Sequence, residues 1–200
     1  MNGLSVLLLG VGLGLRHATD ADHVVVVSTL LQREPGVGRA ARIAALWGAG
    51  HTMTFLGIGL LVVLAELRVP RAFEGAAELA VAAMLVGLGL VHLLRRRTPA
   101  KPAYARPVAI GIVHGLAGSA TIALLVATTI HSRALATAYL GLFGAGTVAG
   151  MVLLTIVLAW PIGWAVRAGG ALRRTVTAAA GLLSIGLGLL IGIETLGAHS

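Results

Sequence analysis

Six apolar runs follow one another along this chain, each about as long as the roughly 20 helical residues needed to cross 30 Å of hydrocarbon, with short polar stretches between them. They lie near 4–31, 43–65, 74–94, 108–130, 135–160 and 175–197. Isolated strands would leave backbone N–H and C=O groups unpaired in lipid, so every run is expected to be helical. The 200 residues are 58% hydrophobic and 11% charged, with a mean hydropathy of +0.96, which a soluble globule with a polar surface cannot accommodate. The expected fold is therefore an all-α integral membrane protein of six transmembrane helices, forming a single membrane domain over 1–200 in the cell (inner) membrane. The opening Met1-Asn2-Gly3 carries no basic region, so the first run is expected to be a retained span and not a cleavable signal peptide.

The formal charge of +8 would point to nucleic acid in a soluble protein; here its placement reads topology, and no nucleic-acid partner is expected. With six spans, the loops at 32–42, 95–107 and 164–174 share one side. They hold Arg33, Arg39, Arg42, Arg95, Arg96, Arg97, Lys101, Arg106, Arg167, Arg173 and Arg174. The other side has Arg68, Arg71 and Arg133, and Arg16 lies within the first span. Basic loops stay in the cytoplasm, so both termini should face outward, with Trp47, Trp160 and Trp164 near the cytoplasmic interface. The absence of cysteine removes disulfides, thiolate metal sites and dithiol electron transfer. Glycines spaced by two, as at Gly87 and Gly89, match no phosphate-binding pattern, and no enzymatic role is expected.

The two halves of the chain resemble each other. Trp47-Gly48-Ala49-Gly50-His51 aligns with Phe143-Gly144-Ala145-Gly146-Thr147 at an offset of 96, and Gly87-Leu88-Gly89-Leu90 with Gly186-Leu187-Gly188-Leu189 at 99. His17 falls opposite His114 at 97. Two three-helix repeats are expected, one over 1–97 and one over 108–200, joined by a cytoplasmic basic linker at 95–107. An odd number of spans inverts the second copy, and inverted repeats of secondary transporters hold their sites near the midplane where the halves meet. Gly48, Gly50, Gly144 and Gly146 are expected first of all as helix-packing surfaces.

Ionisable groups in a span are costly, about 2.5–3.5 kcal/mol each on insertion scales, and the first span holds five within eight positions: Arg16, His17, Asp20, Asp22 and His23. Such a cluster must face protein or water. Imidazole with carboxylate suits divalent nickel, cobalt, copper, zinc or iron, whereas copper(I) would want sulfur and the four methionines form no cluster.

The segment Arg16-His17-Ala18-Thr19-Asp20-Ala21-Asp22-His23, with its His17-x4-Asp22-His23 spacing, resembles the signature of the nickel/cobalt transporter family. Gly50-His51-Thr52 and His114-Gly115-Leu116-Ala117-Gly118-Ser119-Ala120 agree in order and spacing with the short urease-accessory permeases related to that family. The resemblance implies permeation of nickel or cobalt, with His17, Asp22 and His23 handling the metal and His51 as an additional residue; the repeat adds His114 to this set. The longer family members have eight spans and an acidic motif where this chain reads Gly115–Thr121 without a carboxylate. The His-rich loop of related exporters is missing, which favours uptake over export.

On a straight helix, residues advance about 100° and 1.5 Å, which would leave His17, Asp20 and His23 within an arc of about 120° and turn Asp22 about 140° from His17. Either the helix is distorted here or the residues serve successive positions along a path. Asp20 is expected in a supporting role, neutralising Arg16 or orienting a ring, and Asp22 as the carboxylate that touches the metal. His92 reads as an interfacial residue, His131 and His199 as outer-loop histidines, and Glu66 and Glu194 as candidate proton-coupling groups. No permanently bound cofactor is expected, since the Ni2+ or Co2+ ion is cargo. The expected partners are that ion and the lipid bilayer, with a metallochaperone or a second copy of the chain as candidate protein contacts. The rival functions are metal export, or a membrane subunit that docks a delivery partner through the Arg95–Arg106 loop.

Overall fold

The computed structural model of the chain describes residues 2–31, 36–67, 69–94, 104–116 and 121–198. Within them are α1 (Gly3–His17), α2 (Ala21–Leu31), α3 (Val37–Leu64), α4 (Arg71–Leu94), α5 (Ala105–His114), α6 (Thr121–Thr129), α7 (Arg133–Ala168) and α8 (Gly170–Gly197). Among the described residues, α3, α4, α7 and α8 are long and apolar enough to cross a membrane. Arg33, Arg68, Arg95, Arg96, Arg97, Lys101, Ala117, Gly118, Ser119, Ala120 and His199 lie outside the described residues.

Two of the six expected helices are not continuous. The run at 4–31 divides into α1 and α2, and the run at 108–130 into α5 and α6. In the first, the chain closes a tight turn: the Thr19 N–H donates to the Arg16 carbonyl at 2.9 Å and the Asp20 N–H to the His17 carbonyl at 3.0 Å. The Thr19 hydroxyl donates to the same Arg16 carbonyl at 2.6 Å. Short polar side chains that bond nearby backbone compete with helix continuation, which places the break at Thr19–Asp20 inside an otherwise apolar run. Asp22 then falls in the first turn of α2, where the positive end of the helix dipole favours a carboxylate.

The expected loop at 164–174 is also absent as a loop. Helix α7 continues to Ala168 and α8 begins at Gly170, leaving Gly169 alone between them. Gly169 and Gly170 have φ of 69° and 51°, a left-handed geometry that glycine adopts without steric cost, so the chain reverses there without further residues.

The most extensive helix pairs are α4 with α8, α1 with α7, α3 with α7, and α3 with α5. Glycines let these backbones touch, the form of close packing that replaces the hydrophobic effect in lipid. A Cβ at Gly14 would collide with the Phe143 carbonyl oxygen, one at Gly111 with that of Trp47, and one at Gly50 with that of Val108. At Gly146 it would come within 2.6 Å of the Val11 carbonyl oxygen, at Gly89 within 2.6 Å of that of Gly181, and at Gly188 within 2.6 Å of that of Ala82. Two separate apolar clusters form, one around Trp47, Leu85 and Met151 and one around Phe55, Tyr139 and Phe143.

Candidate metal centre

The break between α1 and α2 brings His17, the last residue of α1, beside Asp22 and His23 in the first turn of α2. Helix α3 supplies His51 and the end of α5 supplies His114. All four histidines are buried, none more than 5% exposed. The ring of His23 lies 4.6 Å from that of His17, 5.2 Å from His51 and 4.5 Å from His114, centroid to centroid. Two sets have donor atoms all within 4.8 Å of one another: His17, His23 and His51, and Asp22, His23 and His114. His23 belongs to both.

The carboxylates set the direction of the rings. A carboxylate only accepts, so the nitrogen facing it must carry the proton. His17 Nδ1 donates to Asp20 Oδ2 at 2.8 Å, leaving its Nε2 lone pair for another partner. His23 donates to Asp22 Oδ1 from both Nδ1 and its backbone N–H, each at 3.0 Å. His114 Nε2 donates to Asp22 Oδ2 at 2.8 Å. His23 Nε2, His51 Nδ1 and His114 Nδ1 are buried without a hydrogen-bond partner among the described residues, and in His23 and His114 the proton held towards Asp22 leaves that atom a lone pair. Burying acceptors unpaired costs free energy, and a cation among them would offset it. His17 Nε2 and His51 Nε2 stand 3.2 Å apart, and with metal–nitrogen bonds of about 2.0–2.1 Å, as for zinc, that separation corresponds to an angle of about 100° at a shared ion.

All five residues named from the sequence as metal-handling are therefore gathered in one place. Both oxygens of Asp22 accept from histidine rings, Oδ1 from His23 and Oδ2 from His114, and Asp22 also belongs to one of the two donor sets. Asp20 sits beside His17 as a ring acceptor. Arg16 is not part of the cluster: it is exposed, and Asp20 pairs with His17 instead, because one residue's rotation of about 100° carries Arg16 off the buried face. His92 is buried in α4 and His131 lies between α6 and α7; neither belongs to the two donor sets. Glu66 and Glu194 are exposed, with Glu66 accepting from Arg133 at 2.6 Å, a surface pair of small energetic weight.

Trp47 is a correction. It was expected at the membrane interface beside Trp160 and Trp164, and those two are 76% and 59% exposed, but Trp47 is fully buried. Its ring lies 5.4 Å from His23 and 5.6 Å from His114. On the other side of the centre, Phe143 lies 5.5 Å from His17 and 4.8 Å from Phe55. Trp47 and Phe143 are the opposed residues of the internal alignment, which was the available signal for a shared role.

No family model and no solved structure matches the chain. The chain is 32% identical, over 177 residues, to the urease accessory protein UreH of Bacillus sp. (strain TB-90), an alignment that spans 79% of this chain and 78% of that protein. Identity at that level across most of both lengths is a family relationship, and the chain belongs to the nickel/cobalt transporter family, in its short urease-accessory-permease branch.

Proposed function

We propose that the chain carries a divalent nickel or cobalt ion across the cell membrane, inward, through the buried histidine centre. The observation that carries this reading is the convergence of four buried imidazoles from three segments of the chain on one point, with three ring nitrogens unpaired. The ion is held by neutral imidazoles, with His23 common to both donor sets, while Asp20 and Asp22 orient rings from outside the coordination sphere. The urease association in the relative's name accords with nickel as the cargo.

The protein works as two inverted three-span repeats, with α1–α2 and α5–α6 as the discontinuous first span of each. Paired contacts support this. Gly14 against Phe143 corresponds to Gly111 against Trp47, at offsets of 97 and 96; Gly50 against Val108 corresponds to Gly146 against Val11, at 96 and 97. Gly89 against Gly181 corresponds to Gly188 against Ala82 at 99. Discontinuous helices are where secondary transporters place their ions, and rocking of the halves about the centre would expose it to either side. With basic loops inside and both termini outside, the membrane potential assists uptake by about 4.6 kcal/mol for two charges across 100 mV.

Radiolabelled nickel uptake into proteoliposomes containing only this chain tests the proposal. Uptake undiminished by His17→Ala would sink it, flux that needs an added partner would favour a docking subunit, and net loss of cell nickel on expression would indicate export. Protonation removes the lone pair an imidazole offers to a metal. Uptake is therefore expected to be greater at neutral than at acid pH, measured at constant membrane potential.

A further inference from the structure

A cleft of about 660 Å³ opens between α3, α6 and the start of α4, beside the connections at 65–70 and 130–132. Its ionisable lining comes from Glu66, Glu74, His131 and Arg133, next to those connections. Its inner lining includes Phe55, which lies nine residues before the end of α3, about 14 Å along the helix, and Gly115 and Leu116, which directly follow His114. The volume far exceeds the roughly 30 Å³ share of one water, so a hydrated ion fits within it. From the cleft lining, Phe55, 3% exposed, packs on Phe143, 2% exposed, whose ring lies 5.5 Å from that of His17.

Both residues have counterparts in the internal alignment. Trp47 stands to Phe143, and Met151 to Phe55, at the same offset of 96. Trp47 and Met151 are fully buried in one apolar cluster, with the Trp47 ring against His23 and His114. Each half thus sets one aromatic ring against the centre, with a further apolar residue at the matching position in the same apolar cluster.

We propose that this cleft is the ion's aqueous access path from the side of the 65–70 connection, that Phe55 and Phe143 are its gate, and that Trp47 and Met151 are the corresponding gate to the other side. The proposal rests on the transport reading for its cargo, and its geometry can be tested without any metal. Because the chain has no cysteine, a single introduced thiol reports solvent access cleanly. The full chain is expressed in cells with Ile58→Cys, which lines the cleft, or His17→Cys, which lies behind Phe143, and treated with a membrane-impermeant maleimide. Ile58→Cys is expected to label readily and His17→Cys slowly. Adding Phe55→Ala should raise His17→Cys labelling about tenfold or more, since reaction follows the accessible thiolate, while Trp47→Ala should not raise it from that side. In inside-out vesicles the two substitutions should exchange effects.

Phe55→Leu and Phe143→Leu serve where the alanine variants do not elute as a single species in detergent; each should raise labelling in the same direction by a smaller factor. Ile58→Cys as unreactive as His17→Cys, or His17→Cys labelling unmoved by every Phe55 and Phe143 substitution, would overturn the proposal. If the parent chain carries no nickel in proteoliposomes while the labelling pattern holds, the cargo assignment fails and the gates stand.

Discussion

Replacing His23 with alanine is expected to abolish nickel binding and transport more completely than replacing any other residue of the centre. His23 is the one side chain shared by both donor sets, it has its Nε2 unpaired and fully buried, and its ring touches three other imidazoles. Structural zinc sites gain about 10–16 kcal/mol from about four ligands, or roughly 3–4 kcal/mol for each. Loss of one ligand should then weaken binding about 100- to 1000-fold. His17→Ala and His51→Ala remove a ligand from one donor set and His114→Ala from the other, so each should cost less than His23→Ala. Asp22→Asn keeps the shape but supplies an amide where two ring N–H groups need acceptors, and the expected loss is about 10- to 100-fold. Nickel titration of the purified variants, each checked for monodispersity, gives the order directly. A centre in which Asp22→Asn was as damaging as His23→Ala would have Asp22 on the metal, and the reading of it as an orienting group would be wrong.

The sequence showed this centre unusually well because the solvent is lipid. In hydrocarbon, each of His17, Asp22, His23, His51 and His114 needs a reason to be there, so polarity inside an apolar run was a sharper signal than any spacing rule. The helix break was one of two alternatives that the sequence left open. Straight-helix geometry excluded simultaneous contact by His17 and Asp22, and the Thr19–Asp20 turn resolves that by ending α1 at His17. The corresponding division of the 108–130 run could not be read, because apolar residues continue on both sides of Gly115 and continuity of hydropathy does not report continuity of hydrogen bonding. Trp47 was misplaced for a related reason. Aromatic residues near a basic loop usually sit at the interface, and only the packing of α3 against α5 and α7 turns this one inward. Asp22 and Asp20 are the same chemical group two residues apart, and their partners follow from the turn, which no local pattern encodes.

Gly14→Val and Gly111→Val are expected to destabilise the protein severely and to nearly the same degree. At both positions a Cβ would occupy the space of a carbonyl oxygen, that of Phe143 for Gly14 and that of Trp47 for Gly111. A backbone carbonyl within a helix cannot rotate aside as a flexible side chain can, so the helices must separate. Overpacking commonly costs about 1–3 kcal/mol, and here about 3 kcal/mol or more is expected because a whole helix pair has to move. The displacement should also reach the metal. The same added atom at Gly111 would lie 2.9 Å from the His51 backbone nitrogen, and Gly14 is one turn before His17, so nickel affinity should fall together with stability. Gly12→Val and Gly141→Val are the controls, since a Cβ at either meets nothing within 4 Å, and changes of about 0.5 kcal/mol or less are expected there. Thermal unfolding in detergent, with nickel titration on the folded fraction, separates the two readouts. The comparison bears on the architecture as well as on packing. Gly14 and Gly111 are matched residues of the two halves, each set against the aromatic of the opposite half. Equal penalties are what an inverted repeat requires, and a chain that tolerated Gly14→Val while failing at Gly111→Val would break the equivalence on which both the repeat and the paired gates depend.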